Sequence, residues 1–180
     1  MTAVIPFWMD VRRGWGYPVF DVAQRSGGAD GQMTFPDEAP ADPYAGGPRQ
    51  NEFTMPYDAT IVAAVGHLHP GGLRDDIDVT RPGVGRKLVF RSEARYYDPA
   101  GPVSWDVSLT ASKPRWRVAV KAGDVLGIHA TYDARKSSWY ENMGIVLAWV
   151  APSDPHAPEG VDVFEDDVKI DPGVPTTAIE

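Results

Sequence analysis

The sequence contains no cysteine, which excludes disulfides and thiolate metal ligands. It has no apolar run approaching the roughly 20 residues needed to span a bilayer, so no membrane span is expected. No segment carries sustained helical periodicity between caps, which argues against helices as the main element. Basic residues are outnumbered: 17 Lys and Arg face 25 Asp and Glu, for a net charge of −8. The bases are scattered, whereas phosphate binding needs them clustered, so nucleic acid is excluded as a partner. The N-terminus, Met1 to Trp8, lacks the basic segment, continuous apolar core and cleavage site of a signal peptide. It reads as a strand that begins at once, as in a mature form or an excised piece.

What is present points to β-structure. Seventeen prolines and eighteen glycines without a repeat read as turns between many short strands. Apolar or alternating runs at Val4–Val11, Tyr17–Val22, Asp58–His69, Arg74–Thr80, Arg86–Tyr97, Val103–Ala111, Arg115–Val120, Val125–Tyr132 and Met143–Val150 predict about eight to ten strands at the spacing of an antiparallel β-sandwich. Residues 23–51, rich in Gly, Pro, Asp and Ala, read as one long surface loop. A single domain over 1–151 is expected, followed by an acidic Pro/Asp-rich tail over 152–180 that wraps the domain or moves freely.

The chemistry-bearing stretch is Gly66-His67-Leu68-His69-Pro70-Gly71-Gly72, which holds two of the four histidines. On a strand, side chains two residues apart share a face, so one metal ion could take both imidazoles. The predicted strands ending near Tyr132 and beginning at Met143 flank a polar connection. Read as an antiparallel hairpin with its tip near Lys136, they bring His129 roughly opposite Met143. Asp75, Asp76 and Asp78, on a half-exposed strand, read as a solvated face rather than ligands. Trp139 and Tyr140 read as ordinary packing residues.

Met55-Pro56-Tyr57-Asp58 and the run through His67-Leu68-His69 resemble the strand that carries the His-x-His copper motif of the copper type II, ascorbate-dependent monooxygenases. That family contains peptidylglycine α-hydroxylating monooxygenase and dopamine β-monooxygenase. Lys121-Ala122-Gly123-Asp124-Val125-Leu126 with Thr131-Tyr132-Asp133 resembles its Gly-Asp-hydrophobic strand, and Tyr140-Glu141-Asn142-Met143-Gly144-Ile145 the segment bearing its methionine ligand. The interval of 74 residues from His69 to Met143 is close to the family's, and the resemblance covers about residues 52 to 151. It implies a jelly-roll domain in which His67, His69 and Met143 hold one copper ion. The ligand types suit that metal, because a soft thioether stabilises Cu(I) while imidazoles serve both oxidation states. The resemblance further implies an external reductant such as ascorbate, a small-molecule or peptide substrate, and an extracytoplasmic or secreted location.

The departures leave other readings open. The family's second, three-histidine copper site lies on a separate N-terminal domain, and residues 1–50 here contain no histidine. Either a partner domain is missing, or the chain is a non-enzymatic copper-binding or delivery module. His129, which the resemblance does not assign, is available as a third imidazole ligand, a base behind the ligands or an unrelated strand residue. A cupin-like mononuclear metalloenzyme using His67, His69 and His129 is a further alternative, although Leu73 and Arg74 stand where its carboxylate belongs. Three imidazoles and a water would also suit zinc.

Overall fold

A computed structural model describes residues 4–10, 20–96, 108–165 and 174–175. Among these there is no helix, and so none long and apolar enough to cross a membrane. There are thirteen strands, all paired antiparallel. They run β1 (Ile5–Asp10), β2 (Phe20–Val22), β3 (Gln32–Phe35), β4 (Glu52–Thr54), β5 (Ala59–Leu68), β6 (Gly72–Arg81), β7 (Gly85–Glu93), β8 (Ser108–Ala111), β9 (Val118–Val120), β10 (Val125–Asp133), β11 (Trp139–Asn142), β12 (Gly144–Pro152) and β13 (Val174–Pro175).

The chain is an all-β antiparallel sandwich, as the run of short strands predicts. One sheet has the order β1-β12-β5-β8-β13, with β9 also on β5; the other has the order β3-β10-β6-β7, with β4 also on β10; β11 and β2 form a small ribbon. The core lies between the two main sheets. On β10 the even positions Leu126, Ile128, Ala130 and Tyr132 are buried among Ile77 and Val79 of β6 and Ala64 and Leu68 of β5. Period-2 alternation sends the odd positions of β10, Gly127 and His129 among them, to the outer face.

On β5 the alternation changes phase. The ladder to β12 runs Val150↔Ile61 and then Trp149↔Ala63, so Val62 is an extra residue, a β-bulge. Before it Ala59 and Ile61 are inward; after it Ala64, Gly66 and Leu68 are inward. This one-residue slip turns His67 to the outer face.

Several expectations need correction. Strands β10 and β12 do not form a hairpin: β10 pairs with β3, β4 and β6, and β12 with β1 and β5, in the opposite sheet. The intervening segment includes β11, whose pairing with β2 carries the chain between sheets. The stretch 23–51 is not wholly loop, because β3 buries Met33 and Phe35, and Phe35 stacks on Phe20 at 4.2 Å between ring centroids. The three aspartates of β6 are not a solvated face, since Asp75 and Asp78 are buried and Asp76 holds Arg91 through two bonds of 2.7 Å.

The segment after β12 wraps the sandwich as far as Glu165. Val163 joins the core, and Arg81 grips Asp162. The strands expected to begin at residues 17 and 103 are described only from Phe20 and Ser108, and the turn expected at 98–102 and the tail over 166–173 and 176–180 lie outside the described residues.

Candidate metal centre

His67 and His69 stand at the end of β5, where Pro70 and Gly71 turn the chain into β6. His67 is opposite Ile145 of β12 on one side and Leu109 of β8 on the other. The ladder's last rung is Leu68↔Gly144, so the next residues outward are His69 and Met143. Paired residues of an antiparallel ladder share a face, and residues two apart along a strand do too. The bulge at Val62 turns His67 to the outer face, where His69 lies beside it, and Met143 is the next residue beyond the last rung on the neighbouring strand's side.

The two imidazoles lie with ring centroids 5.3 Å apart and planes at 74°. That spacing suits two rings whose nitrogens each sit about 2.0–2.1 Å from a shared ion. His69 Nδ1 is 3.0 Å from the Glu141 carbonyl oxygen. A proton on Nδ1 donated to that carbonyl leaves Nε2 as a free lone pair, the arrangement that commonly orients a metal-binding histidine. Burial, and next the neighbouring His69, hold the His67 pKa below the usual range, so its ring is neutral at pH 7 and available as a donor. Among the described residues no three His, Cys, Asp or Glu side chains gather around one point. Met143, half-buried, is the next residue in register.

The backbone here is held from several sides. Tyr96 donates its hydroxyl to the carbonyls of His69 (2.5 Å) and Gly72 (3.0 Å). Tyr132 donates to the Met143 carbonyl (2.7 Å) and accepts the His69 N–H (3.2 Å). Asp75 lies in the core 1% exposed, with Oδ2 unpartnered among the described residues. Burial, then the charge of Asp76, push its carboxyl well above the ordinary range, opposed by the His67 backbone N–H that faces it. Gly71, at φ +88°, lies beneath the Trp139 indole, and a Cβ there would fall 2.3 Å from ring carbons. Trp139 is therefore a roof on the turn, as its packing role predicts, while Tyr140 is 72% exposed.

His129 is not brought to this corner. It lies on the outer face of the five-stranded sheet, 7% exposed, with Nδ1 2.7 Å from Asp37 and Nε2 2.8 Å from Asp78. The carboxylates occupy opposite edges of the ring, so no single ion can replace both contacts. A polar cavity of about 220 Å³ opens beside it, lined also by Arg49, Arg86 and Gly127. Burial opposes charge on the His129 ring, but Asp37 and Asp78 outweigh it and raise the pKa to about 9. Arg86 Nη2 competes for the same Asp78 oxygen, 2.5 Å from it and 2.6 Å from His129 Nε2.

A folded-state pKa above the ordinary His value of 6.5 stabilises the protein fully below about pH 6.5, and the gain is lost as pH rises through about 9. Relative to His129→Gln, the wild type is expected to lose on the order of 2 kcal/mol in urea unfolding between pH 6 and pH 10, less than the full pKa difference implies because of Arg86. Parallel pH profiles for the two proteins would show that the ring is not held as an imidazolium.

Sequence reasoning identified the ligand candidates but missed Tyr96, Tyr132, Asp75 and the Glu141 carbonyl. Tyr132 alone had a signal, its inward phase on an alternating strand. No protein-family model matches the chain, and no curated protein matches it.

Proposed function

We propose that the chain is a mononuclear copper-binding domain, with His67, His69 and Met143 as its ligands. The observation that carries this reading is the pair of imidazoles on one outer face, 5.3 Å apart, with Met143 next in register and His69 Nε2 freed by the Glu141 carbonyl. It agrees with the resemblance to the catalytic-copper domain of the peptidylglycine and dopamine monooxygenases, whose connectivity is of jelly-roll type. A copper ion so held supplies one-electron chemistry for dioxygen activation and substrate hydroxylation, with electrons from a reductant such as ascorbate. The chain's own part is to keep His67 neutral, fix the His69 tautomer through Glu141 and offer a soft third donor. The same reading implies a small-molecule or peptide substrate and an extracytoplasmic or secreted location. His129 is left out, because it lies on the other sheet, its ring between the Asp37 and Asp78 carboxylates.

A second reading, a non-enzymatic copper-binding or delivery module, is favoured by the absence of histidine from residues 1–50, where no second copper site can be built from imidazoles. Oxygen uptake by the copper protein with ascorbate separates the two. A rate no faster than that of free copper removes the oxygenase reading and leaves the binding module.

The site itself is tested by copper titration. Met143→Ala is expected to lower Cu(I) affinity at least tenfold, about 1.4 kcal/mol, while Cu(II) affinity stays nearly intact. Unchanged Cu(I) affinity would exclude Met143 from the site.

A further inference from the structure

Tyr132 belongs to β10, in the five-stranded sheet, and is fully buried. Its ring meets Phe20 edge-on with centroids 5.4 Å apart, and its hydroxyl crosses the interior to the end of the six-stranded sheet. There its two hydrogen bonds go to the Met143 carbonyl and the His69 N–H, 2.7 and 3.2 Å away. A phenylalanine would fill the same space, so the hydroxyl is what these contacts require. Burial, followed by the charge of Asp75, pushes the phenol well above its usual range and keeps it protonated as a donor. Tyr96 donates to the His69 and Gly72 carbonyls, on either side of the β5–β6 turn.

Resting on the copper reading above, we propose that Tyr132 is the positioning residue of the site: by tying the backbone of Met143 to that of His69, it holds the thioether beside the imidazole pair and sets the affinity for the cuprous ion. The imidazoles stand two residues apart on one stretch of chain at the end of β5, so local backbone geometry sets their spacing. Met143 comes from a distant part of the sequence and lies between β11 and β12, one residue before the ladder to β5 begins. Tyr132 bonds to both backbones, and its hydroxyl is therefore a group on which their separation depends. Because thioether ligation favours Cu(I) over Cu(II), loosening Met143 should be felt chiefly by the reduced ion.

The test uses copper alone, with Cu(I) measured anaerobically against a chromophoric chelator and Cu(II) by paramagnetic resonance. Tyr132→Phe is expected to lower Cu(I) affinity about 10- to 100-fold, the usual cost of losing a group behind a ligand, with a much smaller effect on Cu(II). Copper–sulfur scattering in X-ray absorption of the Cu(I) protein should weaken in parallel. Tyr96→Phe is expected to affect both oxidation states alike. In a Met143→Leu background Tyr132→Phe should cost little more Cu(I) affinity, because the group it positions is already gone.

An unchanged Cu(I) affinity, or an equal loss for both ions, overturns the proposal while leaving the copper site standing. Wild-type protein that binds copper without copper–sulfur scattering excludes Met143 as a ligand and overturns this inference, while protein that binds no copper overturns the copper reading itself. If Tyr132→Phe fails to fold, the wild-type hydroxyl proton answers the question by magnetic resonance. Cu(I) is expected to slow its exchange with water, and an unchanged rate overturns the proposal.

Discussion

Replacing His67 with alanine is expected to reduce copper affinity, for both oxidation states, by more than about 100-fold, the upper end of what loss of a supporting group behind a ligand costs. The imidazole is neutral, being partly buried and beside His69, so the wild type has little proton to displace before the metal binds. Without it, a single imidazole and a thioether remain, too few to hold Cu(II) against water. His129→Ala serves as the control that separates this site from a generic effect of removing histidine. Its ring lies between Asp37 and Asp78 on the other sheet, so copper affinity should not change. Competition titration of the two variants decides the matter. Equal losses in both would mean that the two histidines share a metal, and the assignment of ligands to the end of β5 would fall.

Arg81→Leu is expected to lower stability to urea unfolding by about 3 kcal/mol, near the lower end of the cost of breaking a buried ion pair. Arg81 ends β6 and makes two 2.9 Å bonds to Asp124, in the turn before β10, and two more of 2.9 Å to Asp162 in the segment after β12. Its guanidinium also lies 4.5 Å from the centre of the Phe164 ring. The two acids fare differently when it is removed. Asp162 keeps Lys121 Nζ at 3.1 Å, but Asp124 is 1% exposed and, among the described residues, retains the Lys121 backbone N–H alone. The main loss is therefore the stranded Asp124 carboxylate, tempered because one edge of Arg81 reaches solvent. A measured loss below about 1 kcal/mol would mark the pair as screened like an ordinary surface ion pair.

The strand that carries the histidines was legible because its composition leaves little choice. An apolar, partly β-branched run from Ala59 to Val65, stopped by Pro70-Gly71-Gly72, predicts a strand ending at His69, one residue beyond its observed end at Leu68. Strand faces were less legible. Nothing in Ile61-Val62-Ala63 marks the extra residue, because a bulge within an apolar run changes the phase without changing the composition. Sheet partnership was hidden too. A ten-residue polar connection between two good strands fits a hairpin, yet Trp139–Asn142 finds Phe20–Val22, more than a hundred residues away in sequence, and turns the chain to the other sheet. The acids of β6 were misjudged for a related reason. Alternation assigns each side chain a face, but only the fold supplies Arg86 and His129 to Asp78 and buries Asp75 behind His67.

The extra residue at Val62 also bears on how metal reaches the protein. In strict alternation His67 would point between the sheets, and an ion there would have to be enclosed while the chain folded. With the bulge the imidazoles face outward, so in the copper reading the sandwich closes first and the ion joins a finished surface. A copper ion bound there would need no opening of the core to load or leave.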